Sequence, residues 1–176
     1  MTGRRTFLIA ATAAFIVFFA VHFLDFPGSV PRFRELSGGG VLFDLTPSFD
    51  IDEVYQRLND YGPQGRESYK FRNQTVDIIL PLGLLPFLFL LMLTAVRSMQ
   101  LNGWPAVLFL AIPVAYVIFD LLENGVVLGL LNTYPHRMDG AAQILPYITT
   151  VKRAASLLAL IIPLTIFTLR FFRKTN

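Results

Sequence analysis

Four long apolar runs alternate with short polar segments along the chain. They cover about residues 6–24, 77–97, 104–131 and 149–171. A helix needs roughly 20 apolar residues to cross a bilayer, and each run meets that length. The pattern predicts an all-α fold, a polytopic membrane protein built as a four-transmembrane helix bundle, with residues 1–176 as one membrane domain. The first run follows Arg4 and Arg5, as a signal peptide would. It is longer than the ~7–15 residues of a signal h-region and ends in Val21-His22-Phe23-Leu24-Asp25-Phe26-Pro27, so a retained helix is expected.

Residues 25–76 form the longest polar segment, an outer loop. Pro27-Gly28, Pro31 and Ser37-Gly38-Gly39-Gly40 break regular structure, so its first part is expected to be loop. Asp50 and Glu53 fit a capping box that opens a short amphipathic helix over about 50–60, through Ile51, Val54, Tyr55 and Leu58. Such a helix is expected at the membrane surface. Pro63 suits the first position of another short helix, about 63–76, expected to run unbroken into the second apolar run. Pro81 and Pro86 lie inside that run and free the carbonyls of Asp77 and Leu82, which neighbours must then satisfy. Asn132 to about Pro146 reads as a second polar connection.

Composition narrows the picture. Charged residues make up 15% of the chain, against roughly 25% in soluble domains. With no cysteine, disulfides, thiol chemistry and zinc fingers are excluded. His22 and His136 are too few to suggest a metal site, and no cofactor is expected. The net charge of +3 comes from basic residues flanking apolar runs, with no basic stripe interleaved with aromatics, so nucleic-acid binding is not expected. Placing both termini in the cytoplasm puts Arg4, Arg5, Arg97, Arg170, Arg173 and Lys174 inside, without one acid. The expected location is a cell membrane, the bacterial inner membrane, crossed several times.

Charged groups at bilayer depth cost about 2.5–3.5 kcal/mol each on insertion scales and call for an explanation. In the third run, Tyr116, Asp120 and Glu123 share one helix face, with Asn124 beside them. The second helix carries Arg66, Tyr69 or Lys70, Asn73 and Asp77 at intervals of three or four. The fourth offers Thr149, Lys152, Arg153 and Ser156, and the first offers His22 and Asp25. By depth these groups converge on the outer half of the bilayer, whereas the inner half of each helix is apolar. Asp120 and Glu123 are candidate catalytic carboxylates, able to act as acid and base or to stabilise a cation. Tyr116, Asn124, Asp77, Arg66, Tyr69, Asn73, Lys152 and Arg153 are candidate ligand-binding residues. The same acids could instead pair with Lys152, Arg153 or Arg66 and lock the bundle.

Tyr61-Gly62-Pro63-Gln64-Gly65-Arg66-Glu67-Ser68-Tyr69 and Asp120-Leu121-Leu122-Glu123-Asn124 together resemble small four-helix bacterial membrane proteins. Those proteins carry G-x-x-G-R-x-x-Y, a following Asp, and D-x-x-E-N. The resemblance spans about residues 6–170 and implies no activity. It implies that Arg66, Tyr69, Asp77, Asp120, Glu123 and Asn124 belong to one site.

The expected function is a small membrane enzyme or binding protein acting on a lipid-like or isoprenoid-like molecule. A non-catalytic accessory subunit of a membrane complex, or an oligomeric proton-coupled carrier, are the alternatives. The expected partners are membrane lipids, and further copies of the chain or a larger membrane complex.

Overall fold

The computed structural model describes the backbone of residues 2–175 and the side chains of residues 5–172. Arg4, Arg173 and Lys174, assigned above to the cytoplasmic side, lie outside the described side chains. Among the described residues seven helices follow one another: α1 (Thr2–Phe23), α2 (Val30–Leu36), α3 (Ile51–Asp60), α4 (Gly62–Gln74), α5 (Val76–Ser98), α6 (Trp104–Thr133) and α7 (Asp139–Thr175). Among the described residues four stretches are long and apolar enough to cross a membrane: Arg5–Phe23, Gly62–Ser98, Trp104–Thr133 and Asp139–Phe172. They form an all-helical, multi-pass membrane bundle. A short turn joins α5 to α6 at one end, here the bare end. The segment 24–61 covers the other, here the capped end.

Four boundaries differ from expectation. Residues 30–36 are helical, not loop, because the Ser29 side chain accepts the Arg32 N–H at 3.2 Å and Pro31 sits in the first turn. The polar helix before the second span does not run straight through. It breaks at Thr75 (φ −126°, ψ −81°), whose hydroxyl donates to the Phe71 carbonyl at 2.6 Å. The helix α7 starts at Asp139, ten residues before the expected 149. Ala141, Ala142 and Leu145 favour helix, and the buried Ala142 and Leu145 give that turn a core face. The box at Asp50 closes by half: its carboxylate accepts the Asp52 N–H at 2.8 Å. Glu53 bonds sideways to the Ser48 hydroxyl and to Arg57, which hold its carboxyl below the usual range.

The amphipathic face of α3 is used inside the protein. Val54, Tyr55 and Leu58 are buried with Phe33 of α2, Leu42 and Phe43 of the loop, Tyr61, Tyr69 of α4, and Val127, Leu130 and Leu131 of α6. The capped end thus has a compact core of its own. Side chains also tie down the loop backbone. Tyr61 donates to the Val41 carbonyl at 2.6 Å, Tyr69 accepts the Phe43 N–H at 3.1 Å, and Arg57 donates to the Thr46 carbonyl at 2.5 Å.

The membrane part is thinner. Leu88, Tyr116, Val117, Ala155 and Ala159 form its buried centre. Ala155 and Ala159 let α6 and α7 approach closely, the usual device where lipid gives no hydrophobic drive. Among the described residues α1 leans on α5 and has no extended contact with α6 or α7. A cleft therefore lies between α1 and α7, floored by α5.

Gly62 and Gly65 explain the G-P-Q-G turn. Gly62 takes φ +62°, a left-handed value, and a Cβ at Gly65 would sit 2.8 Å from the Ser37 Cα. Gly65→Ala must push α2 off α4, with an expected cost of about 1–3 kcal/mol. Gly125→Ala meets no atom within 4 Å and removes a glycine from a helix interior, so it should be neutral or stabilising by up to about 1 kcal/mol. Denaturant unfolding of both variants, with Gly125→Ala as reference, checks the pair; equal midpoints would contradict the close approach.

Candidate functional site

The acids of the third span lie one turn apart but do different things. Glu123 is 1% exposed, and both its oxygens are taken, one by the Thr149 hydroxyl and the other by the Lys152 ammonium. Asp120 shares the same ammonium at 3.2 Å. One cation on α7 thus relieves the repulsion of two carboxylates on α6. Asp120 also faces a cavity, which Glu123 does not line.

Asn124 has a backbone task. Pro81 has no N–H to offer the carbonyl of Asp77, and Asn124 Nδ2 donates to that carbonyl at 2.7 Å. The same amide group lies 3.3 Å from Asp120 Oδ2. A polar side chain on α6 thereby repairs the backbone of α5, as a proline in a membrane helix requires.

Across from it, the Asp77 carboxylate pairs with Arg72 at 2.7 Å. Arg72 is 1% exposed and also donates to the Gly28 carbonyl at 2.8 Å, tying α4 to the start of the cap. Sequence spacing does not reveal this pair. The residues are five apart, off helical register, and meet because the chain breaks at Thr75 between them.

The cavity measures about 320 Å³ and sits in the cleft between α1 and α7, toward the capped end. Phe18, Leu80, Leu84, Phe87, Leu88 and Leu160 form its apolar wall. His22, Asp44, Tyr116, Asp120, Lys152 and Ser156 form its polar wall. The His22 ring stacks on Phe18 at 4.1 Å between centroids, with Nδ1 2.8 Å from the Phe18 carbonyl oxygen.

Asp44 was not singled out by the sequence. It stands in irregular loop, where no periodicity marks a functional side. Arg153 holds it there by donating to its carbonyl at 2.7 Å and 3.1 Å, and to the carbonyl of Leu45. Its Oδ1 is buried without a hydrogen-bond partner.

The structure separates several residues that spacing had grouped. Asp120, Lys152 and Tyr116 line the cavity; Glu123, Asn124 and Asp77 stand behind them. Arg66 lies elsewhere, donating to the Leu58 carbonyl at 2.8 Å and covering the Tyr134 ring at 4.4 Å. Tyr69 belongs to the aromatic core of the cap, 5.1 Å from Phe33. Asn73 is buried outside the cavity wall, its Oδ1 unpartnered. Arg153 is a loop anchor, not a counter-ion of the acids. Among the described residues no cluster of His, Cys, Asp or Glu has the arrangement of a metal site.

Comparison with protein-family models, curated proteins and solved structures finds no match to this chain.

The backbone role of Asn124 can be measured. Asn124→Leu should cost about 1–3 kcal/mol, the penalty for an abandoned buried carbonyl. In a Pro81→Ala background the backbone N–H restored at that position can bond the Asp77 carbonyl within α5, so the same change should cost about 1 kcal/mol less. Unfolding free energies of the four proteins in the cycle check this; additive effects would contradict it.

Proposed function

We propose that the chain binds or converts a lipid-like or isoprenoid-like amphiphile in the cavity between α1 and α7. The observation that carries this reading is the cavity wall, apolar on one side and lined by Asp44, Asp120 and Lys152 on the other, in the cleft between α1 and α7. The tail would lie against Leu80, Leu84 and Leu160, and the head against Asp120. Asp120 is the acid placed to touch the ligand. Glu123 is a positioning residue that holds Lys152, and Asn124, Asp77 and Arg72 hold α4, α5 and α6 in register around it. This refines the resemblance to the D-x-x-E-N proteins: Asp77, Asp120, Glu123 and Asn124 act as one unit, with Arg66 and Tyr69 in the cap above it.

The reading also assigns sides. Arg5, Arg97 and Arg170 lie toward the bare end without an acid among the described residues there, which supports a cytoplasmic bare end. The capped end and the cavity would then face outward from a bacterial inner membrane. Single cysteines at the exposed Gln56 and Asn132 should react with an impermeant thiol reagent from outside, and one at Ser98 should not. Outside labelling at position 98 would reverse the topology.

The ligand itself is sought by mass spectrometry of lipids that co-purify with wild type, Asp120→Asn and Leu84→Trp at equal helix content. Asp120→Asn removes one charge at constant volume, and Leu84→Trp fills the apolar wall. A discrete amphiphile enriched by wild type should fall about tenfold in each variant, the effect of losing about 1.4 kcal/mol. The same bulk lipid in all three preparations would refute the proposal.

A further inference from the structure

The bare end holds a second cavity with the opposite charge. About 400 Å³ in volume, it lies between α1, α5 and α7, with Phe7, Leu90, Leu93 and Phe167 among its walls and Arg97 at its rim. A cleft of about 510 Å³ adjoins it, sharing Arg97 and Phe167 and adding Ser98, Gln100 and Arg170. The Phe7 and Phe87 rings, 5.9 Å apart, stand between this region and the acidic cavity, since Phe87 lines that cavity and Phe7 lines this one.

Arg97 and Arg170 both line the cleft, and among the described residues neither guanidinium has an ion-pair or hydrogen-bond partner. The sequence supplies none nearby: no Asp or Glu occurs in 78–119 or in 140–176. Two such groups beside one cleft offer a site for an anion from outside the chain. Arginine forks match phosphate oxygens in a bidentate manner. The apolar cavity directly beneath distinguishes a lipid from a free ion, because a free ion would leave it unfilled.

We propose that Arg97 and Arg170 bind the phosphate of an anionic phospholipid, with one acyl chain lying in the apolar cavity between α1, α5 and α7. Basic pockets between membrane helices bind such headgroups by the same physics. The site is independent of the capped-end cavity and of what that cavity does. It would also place a lipid chain in the cleft that α1 leaves open, tying α1 to α7 through the ligand.

The test is native mass spectrometry of the full chain released from micelles and titrated with phosphatidylglycerol or phosphatidylcholine of equal acyl length. Wild type should retain phosphatidylglycerol about tenfold more strongly, a difference of about 1.4 kcal/mol. The double variant Arg97→Gln, Arg170→Gln should retain the two lipids to within about twofold, one fifth of the tenfold wild-type ratio expected from that constant. Leu93→Trp, which fills the cavity and leaves both arginines, should weaken phosphatidylglycerol several-fold. Inorganic phosphate at the lipid concentration should not displace it. Equal retention of both lipids by wild type, a preference that survives in the Gln variant, or displacement by inorganic phosphate would each overturn the proposal. If the Gln variant does not fold, Arg97→Lys with Arg170→Lys, Leu93→Trp and the phosphate competition decide it.

Discussion

An ammonium held between two carboxylates within the membrane span is the constraint on which this bundle depends. Lys152 on α7 meets Asp120 and Glu123 on α6, and none of the three is more than 8% exposed. Removing one member of such a buried group leaves uncompensated charge, which typically costs about 3–5 kcal/mol. The three groups together therefore fix the rotation and the vertical register of α6 against α7. Ala155 and Ala159 add close packing along the same face but no comparable directionality.

A second polar connection continues this one. Asn124, one residue after Glu123, reaches the Asp77 carbonyl freed by Pro81, and Asp77 in turn holds Arg72. Arg72 reaches the Gly28 carbonyl in the cap. Polar contacts thus run from α7 through α6, α5 and α4 to the segment after α1, each satisfying a group that lipid could not. The cap uses a different principle. Its aromatic core and the hydrogen bonds to its loop carbonyls resemble a small soluble domain seated on the bundle, and they bring Asp44 to the cavity wall.

The weakly attached helix gives the molecule its openings. Because α1 leans on α5, the cleft it leaves beside α7 is divided by Phe7 and Phe87 into an acidic upper part and a basic lower part. Charge separation of this kind follows from the chain itself, whose acids are confined to the capped half. It gives the two cavities opposite preferences for a polar head while both offer apolar walls to a tail.

The sequence by itself determined the four spans, the helical class, the apolar bare half and the single helix face that carries Asp120 and Glu123. These follow from span length and helical spacing, which are local properties. It also determined that the Asp77 carbonyl would need a donor, since proline chemistry requires one. Only the tertiary structure decided that Asn124 is that donor and that Arg72 pairs with Asp77 across the break at Thr75. It likewise decided that Asp44 enters the cavity while Arg66 and Arg153 serve the cap. Those assignments depend on which helix faces which and on where a loop is pinned. A period of three or four residues carries information about one helix face, and none about the element packed against it.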